Sequence, residues 1–143
     1  MDYLSAFDIS GTGMSVEKLR LDVTAINLAN AHTTKTLNGK LYKPLYVKSA
    51  PIDGFGLSNM NNSSLPGGVE VLSVEELNTE PRMAYEPGHP DADDKGYVAY
   101  PGIDPVSEMI NLITSTRAFE ANVRAMNAAK TMALKALEIG GTP

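Results

Sequence analysis

The strongest constraint on the fold of this chain is a run of 34 residues, 106–139, that contains neither glycine nor proline. Asp104 is a favoured N-cap residue, Pro105 suits the first helical position, and Gly140–Gly141 supplies a stop. The sequence therefore predicts a helix from about 105 to 139, which at about 1.5 Å per residue is roughly 50 Å long. Such a helix is longer than most single domains need, so we expect it to pack along a partner.

Along this predicted helix, apolar residues recur at alternating steps of three and four, which is the spacing of a coiled-coil seam. Thr116 and Lys130 are its two polar interruptions. The predicted seam consists of Met109, Leu112, Thr116, Phe119, Val123, Met126, Lys130, Ala133 and Leu137. We therefore expect this face of the helix to be buried against a second helix.

The N-terminal region shows the same spacing. The positions that share it are Ile9, Thr12, Val16, Leu19, Val23, Ile26 and Asn30. Gly11 and Gly13 each cost about 1 kcal/mol relative to alanine inside a helix, so we expect a secure helix from about Ser15 to Asn30 and a frayed or kinked segment before it. Because the two seams have the same period, the sequence predicts that the terminal helices pair as a coiled coil.

Between the two predicted helices, residues 32–103 hold 15 of the 21 glycine and proline residues, which favours turns and short strands. The candidate strands are "KLYKPLYVK", "GVEVLSVEEL", "RMAY" and "GYVAY", and the candidate turns are "DGFG", "LPGG" and "EPGHP". Pro44 favours an edge position for the first strand. The predicted fold class is α+β. Residues 1–31 and 104–143 form a helical coiled-coil domain, and residues 32–103 form an inserted β-rich domain with a small core and a mobile loop at about 54–68.

No part of the chain is basic. The formal net charge is −5, of which residues 1–31 carry −2, residues 32–103 carry −3 and residues 104–143 carry none. Nucleic acid is disfavoured as a partner, because binding it requires a basic face that neutralises phosphates. The absence of cysteine removes disulfides, thiolate metal sites and cysteine nucleophiles.

The sequence also lacks membrane-directing segments. Its N-terminus has neither the positive region nor the continuous apolar region of a cleaved secretory signal, and no window approaches the run of about 20 apolar residues that spans a membrane. We therefore do not expect a membrane-spanning protein. If the protein leaves the cytoplasm, we expect a route that cleaves no signal peptide.

The densest group of potential metal ligands is "HPDADDKG", in which His89 lies near Asp91, Asp93 and Asp94. Its spacing resembles the start of a calcium-binding EF-hand loop. However, position twelve is Gly102, where such a loop needs a bidentate glutamate. The interpretation we favour is a solvated turn whose aspartates cap their own backbone.

No catalytic constellation emerges from the remaining residues. The N-terminal "GTG" lacks the preceding strand and the further signature residues of a phosphate-binding loop. The only histidines, His32 and His89, lie in turn-rich stretches, and no spacing selects a base beside a hydroxyl or a pair of carboxylates. We therefore expect no catalytic, cofactor-binding or metal-binding residues, and a small hydrolase that uses His89 and Asp93 is the weakest alternative.

Four asparagines lie on or beside the two predicted seams: Asn27, Asn30, Asn122 and Asn127. An asparagine on a coiled-coil seam sacrifices stability to fix register and partner number, because it is satisfied only opposite a polar group. Asn30 lies on the seam and the other three flank the seams. Polar groups distributed around two helices favour an assembly of many subunits over a simple dimer.

Two segments resemble a known family. "AINLANA" at 25–31 resembles the N-terminal signature of the bacterial flagellar axial proteins, the rod, hook and hook-associated subunits, in which both chain ends pair as coiled-coil helices around an inserted β domain. The segment from Tyr85 to Gly140, which begins "YEPGHPDADDKGYVAYPGIDP", is more specific and resembles proximal rod subunits within that family. Residues 33–80 match no pattern of the family.

The resemblance implies a structural subunit that assembles helically, with itself and with other rod proteins, into the hollow drive shaft of the flagellar basal body. That shaft transmits torque and conducts exported subunits. The resemblance also implies export by the flagellar type III apparatus to the periplasmic part of the basal body, where ring proteins or peptidoglycan-proximal components are further candidate partners. The alternative is a soluble helical adaptor or chaperone-like module that binds one partner in a groove.

In the rod interpretation, an apolar seam and four asparagines that set register toward neighbours form the assembly interface. The apolar residues are Val16, Leu19, Val23, Ile26, Phe119, Val123, Met126 and Leu137, and the asparagines are Asn27, Asn30, Asn122 and Asn127.

Overall fold

The computed structural model describes residues 3–36, 38–52 and 67–141, and these residues form two α-helices and four β-strands. In chain order the elements are α1 (Tyr3–Ala29), β1 (Leu45–Ile52), β2 (Gly68–Glu76), β3 (Arg82–Tyr85), β4 (Tyr97–Tyr100) and α2 (Pro105–Gly140). The predicted α+β class is therefore confirmed.

Helix α2 begins and ends almost where the sequence predicts. The Asp104 carboxylate accepts hydrogen bonds from the backbone N–H groups of Val106 and Ser107, each at 3.2 Å, and from the Ser107 hydroxyl at 2.6 Å. These bonds satisfy donors that a helix N-terminus leaves without intrahelical partners. They lower the pKa of Asp104, with the Ser107 hydroxyl contributing most and the Val106 N–H next.

Helix α1 continues through Gly11 and Gly13 back to Tyr3, so the expectation that it frays before Ser15 is wrong. The physical reason is tertiary packing. A Cβ atom at Gly13 would lie 2.9 Å from Asn122 Nδ2, so the missing side chain gives the α2 asparagine its space. Packing against α2 thus outweighs the low helix propensity of glycine.

The two helices pack side by side and run antiparallel. The contacts that fix this orientation join Gly11 to Met126, Gly13 to Asn122 and Asn27 to Glu108. We call α1 and α2 together the helix pair. Knobs-into-holes packing of the helix pair, as in a coiled coil, stays a prediction.

The face that α2 turns toward α1 coincides only partly with the predicted seam. Ser115 and Ala129 are buried, whereas the predicted neighbouring position Lys130 is exposed. Small side chains let two helix backbones approach closely, and burial of a lysine without a partner would be costly. Buried and half-buried residues on this face recur at steps of four and three, and they are Glu108, Leu112, Ser115, Phe119, Asn122, Met126, Ala129 and Ala133.

Strands β1 and β2 pair antiparallel from Leu45 opposite Glu76 to Ile52 opposite Gly68, and we call this pair the hairpin. The first strand begins after Pro44, not at residue 40 as predicted, because the chain just before it is tied by side-chain contacts to α1. The hairpin packs on α1, with Val47 buried between them. Helix α1 therefore supplies much of the core that the β-rich segment lacks.

Strands β3 and β4 form a second, separate antiparallel sheet, with Arg82 opposite Tyr100 and Tyr85 opposite Tyr97. All four predicted strands exist, but in two sheets. The division into domains at 31 and 103 stays a prediction. The predicted loop at about 54–68 and the turns "DGFG" and "LPGG" fall almost entirely outside the described residues.

Candidate assembly surface

The side chain of Asn27 joins α1 to β1 and to the first turn of α2. Its Oδ1 accepts hydrogen bonds from the Leu45 N–H and from the Tyr42 hydroxyl, both at 2.8 Å, and its Nδ2 donates to the Leu45 carbonyl at 2.9 Å. Nδ2 also points at Glu108 Oε2, at 3.5 Å. Asn27 is only 3% exposed, and a buried amide without hydrogen-bond partners would destabilise the fold. These bonds satisfy its donor and acceptor groups. We call Asn27, Tyr42, Leu45 and Glu108 the Asn27 junction.

The Asn27 junction is electrostatically asymmetric because it holds a carboxylate beside a phenol. Burial raises the pKa of Tyr42, and the negative charge of Glu108 raises it further. Tyr42 therefore stays protonated at neutral pH, and its hydroxyl donates a hydrogen bond to Asn27 Oδ1. The sequence marked Asn27 as unusual, but nothing in the local pattern identified Leu45, Tyr42 and Glu108 as its partners.

Asn30 ends helix α1. Its Nδ2 donates to the Ile26 carbonyl at 2.9 Å, and its Oδ1 accepts from the Thr33 hydroxyl at 3.2 Å. The Ile26 carbonyl also accepts from the Asn30 backbone N–H at 3.1 Å, so the Asn30 side chain reinforces the last turn of the helix and helps to direct the chain out of it. The Asn30 side chain therefore forms hydrogen bonds within its own subunit.

Two further contacts hold the hairpin along α1. Val69 N–H donates to Thr12 Oγ1 at 3.2 Å, and Arg20 Nη2 donates to Ser49 Oγ at 2.9 Å. From Thr12 to Asn27, α1 rises about 22 Å, and β1 spans about 23 Å from its first to its last residue. The hairpin therefore lies along the helix, bonded to α1 by Leu45 of β1 at one end and by Val69 of β2 at the other.

The residues predicted to form an assembly interface divide into three groups. Val16, Val23 and Asn27 are buried inside the subunit. Leu19, Asn30, Phe119, Asn122, Val123 and Met126 are half-buried. Ile26, Asn127 and Leu137 are exposed. The structure thus assigns most of the set to the packing within one subunit and leaves the last three available to neighbours.

Helix α2 exposes two groups of large apolar residues. The first forms a stripe on the side opposite α1 and consists of Val106, Met109, Ile110 and Ile113. The second lies in the last turns and consists of Met132, Leu134, Leu137 and Ile139, of which Leu137 is 71% and Ile139 81% exposed. The spacing of the first group, i, i+3, i+4 and i+7, is that of one helix face, so the sequence carries a signal for this stripe, of which only Met109 belongs to the predicted seam.

The "HPDADDKG" segment is a turn that its own side chains stabilise, as predicted. Asp93 Oδ1 accepts from the N–H groups of Lys95 at 2.9 Å and Tyr97 at 2.8 Å, and Gly96 adopts a positive φ of 81°. Asp91 instead accepts from the side chains of Lys35 and Thr34, which hold its pKa below the ordinary value. Within the described ranges, no three His, Asp or Glu side chains are grouped to hold a metal.

The length and hydropathy of the two helices bear on whether either could span a membrane. Among the described residues, neither α1 nor α2 contains a stretch that is both long and apolar enough to cross a bilayer.

Comparison with known proteins extends over nearly the whole chain. Residues 94–139 match the family model described as the C-terminal region of flagellar basal body rod FlgEFG proteins. The flagellar basal-body rod protein FlgC of Bacillus subtilis (strain 168) is 39% identical, with 98% of this chain and 99% of the relative covered. The same protein of Salmonella typhimurium (strain LT2) is 37% identical, with 98% and 99% covered, and that of Borreliella burgdorferi is 33% identical, with 97% and 98% covered. This chain belongs to the FlgC family of flagellar basal-body rod proteins.

Proposed function

We propose that this protein is a structural subunit of the flagellar basal-body rod and acts mechanically. The observation that carries the proposal is the apolar surface of α2: a helix already paired with α1 still exposes eight large apolar side chains. Exposed apolar patches of this kind mark contact surfaces. In a family of rod proteins, the contacts are those with neighbouring rod subunits.

The assembly we propose is a helical tube that this chain forms with other rod subunits and with copies of itself. Contacts between different patches on successive subunits do not close into a ring unless the rotation fits, and they then generate an open helix. A hollow tube of this type serves as a drive shaft that transmits torque and lets later subunits pass. The periplasm is the place we propose for it, reached through the flagellar type III export apparatus without a cleaved signal peptide.

The proposed interface follows from which residues remain accessible. Ile26, Asn127 and Leu137 face outward and contact neighbours in this proposal. The buried residues of the predicted set, such as Val16 and Asn27, act indirectly by holding the helix pair and the hairpin in one rigid subunit. Coiled-coil packing of the helix pair and a separate inserted domain at 32–103 belong to the same proposal.

Neither the adaptor nor the hydrolase is supported by a specific observation. The related proteins are named as rod proteins, and the "HPDADDKG" residues that a hydrolase would use are engaged in stabilising a turn.

Electron cryo-microscopy of basal bodies tests the proposal. Basal bodies are purified from cells in which this chain is the only copy of its kind, and the shaft density is searched for the antiparallel helix pair with the hairpin on α1. We expect to find it in the periplasmic shaft, with α2 contacting neighbouring subunits. Complete basal bodies without such density would move the function to the adaptor.

A further inference from the structure

Glu108, in the first turn of α2, is a half-buried carboxylate that lacks a cationic partner among the described residues. Its Oε2 lies 3.5 Å from Asn27 Nδ2, at the outer limit of a hydrogen bond. The other half-buried carboxylates of the described residues each have a cationic partner: Glu17 pairs with Arg20, and Asp91 pairs with Lys35. A carboxylate that is partly removed from water is stabilised most by a cationic partner, and the described residues supply none at Glu108.

Glu108 lies in a cleft of about 230 Å³ between α1, β1 and the first turns of α2. The apolar walls come from residues such as Val23, Leu45 and Val47, and the polar wall includes Asn111 and the buried Ser115. This volume falls below the roughly 300–1,000 Å³ of typical small-molecule pockets. An apolar wall beside a carboxylate suits a long basic side chain, whose methylene stem packs while its charged end pairs.

The subunit's own nearby cation is already engaged elsewhere. Arg20 lines the same cleft, but its guanidinium donates to Ser49 and pairs with Glu17 at 3.8 Å. Moving it to Glu108 would release the contact that holds the hairpin against α1. The described residues that line the cleft therefore offer Glu108 no unengaged cation.

We propose that a lysine or arginine side chain of a neighbouring rod subunit inserts into this cleft and forms an ion pair with Glu108 in the assembled rod. This inference rests on the proposed function and adds the chemistry of the partner and the residue that receives it. Charge complementarity carries it, since a half-buried anion in a narrow, partly apolar cleft selects a cation over a neutral side chain.

Charge variants of the full-length chain, expressed in cells that lack the native copy, test this proposal. In the Glu108→Gln variant, an amide oxygen still faces Asn27, so the Asn27 junction keeps its geometry while the negative charge is lost. We expect about tenfold less of this variant in purified basal bodies, because loss of one member of a buried interfacial pair weakens the contact strongly. The Glu108→Lys variant should fail to incorporate, and selection for motility should recover Lys→Glu or Arg→Glu changes in a neighbouring subunit.

Two controls separate the possible outcomes. Glu120→Gln alters an exposed glutamate on the same helix that pairs with Arg124, and it should leave incorporation unchanged. If Arg20→Glu restores Glu108→Lys, the pair is internal to the subunit and the inference is overturned. Normal incorporation of both Glu108 variants also overturns it while the rod function stands. Absence of the wild-type chain from basal bodies would instead refute the proposed function.

Discussion

The two helices of the subunit differ in how much of their surface the subunit itself buries. Helix α1 contacts α2, β1 and β2 and buries Ser10, Val16, Val23, Thr24 and Asn27. Helix α2 is longer, yet only Ser115 and Ala129 of its residues are buried. Asn27 is one of the polar residues that α1 buries, and its side chain is fully hydrogen-bonded. The comparison indicates that α1 organises the subunit, whereas α2 offers surface to the assembly.

Replacing Asn27 with leucine tests the organising role of α1 most severely. The Asn27→Leu variant leaves the Leu45 backbone groups and the Tyr42 hydroxyl without their partner. Since each unsatisfied buried polar group costs about 1–3 kcal/mol, we expect a loss of about 3 kcal/mol in the free energy of unfolding. Urea unfolding of the purified full-length chain measures this loss, and Asn127→Leu on the exposed side of α2 is the matched control. Equal stability of the two variants would contradict the assignment of Asn27 to the core.

A pair of alanine variants compares the two helices directly. Val23→Ala removes buried methyl groups from α1, and we expect it to cost about 2 kcal/mol in the free energy of unfolding. Leu137→Ala removes an exposed side chain from α2, so we expect a change within about 0.5 kcal/mol but clearly reduced motility. Thermal unfolding and swimming assays check the two effects. A stable, motile Leu137→Ala strain would remove this residue from the proposed interface.

Asn30→Leu should have a smaller effect than Asn27→Leu. It removes the hydrogen bonds to the Ile26 carbonyl and the Thr33 hydroxyl at the end of α1, which we expect to cost about 1 kcal/mol in the free energy of unfolding. The variant should still be exported, but less of it should be incorporated into the rod. Secreted and basal-body amounts can be compared by immunoblot, and unchanged motility would refute a role for Asn30 in register.

The acid sensitivity of α2 should be the smallest of these effects. Because hydrogen bonds lower the pKa of Asp104 in the folded state, its stabilising contribution is fully present above its ordinary pKa of about 3.9. It is lost as the pH falls through the lower, folded-state value. Asp104→Asn caps the helix without titrating, so the variant should lose less stability between pH 4 and 2 than the wild type. Acid unfolding followed by circular dichroism checks this, and identical acid profiles would contradict it.

Sequence patterns located the elements of this fold better than their contacts. The bounds of α2 followed from Asp104, Pro105 and the terminal glycines, because capping and helix termination are local interactions. The four strand segments were also recognised from local composition. Their division between two sheets was not predicted, because strand pairing depends on residues far apart in the sequence.

The predicted seam illustrates the same limit within a helix. A repeat of three and four residues fits more than one face of the same helix. Because Met109 and Val123 are apolar, the sequence pattern placed them on the buried face, whereas the structure buries Ser115 and Ala129. Close approach of α1 at Gly11 and Gly13 selected the face with small residues instead. Met109 and Leu137, which the sequence pattern had placed on the seam, are exposed on the subunit surface as a result.

The sequence by itself determined the long C-terminal helix, the α+β class, the self-stabilised "HPDADDKG" turn and, through a family signature, membership in a group of rod proteins. The helix, the fold class and the turn depend on local capping, turn chemistry and periodicity, whereas family membership rests on the signature residues. Only the tertiary structure decided that Asn27 binds β1, that α1 is helical through its glycines and that Glu108 lies in a cleft without a cationic partner among the described residues. Each of these depends on atoms brought together from distant parts of the chain, which no local pattern encodes.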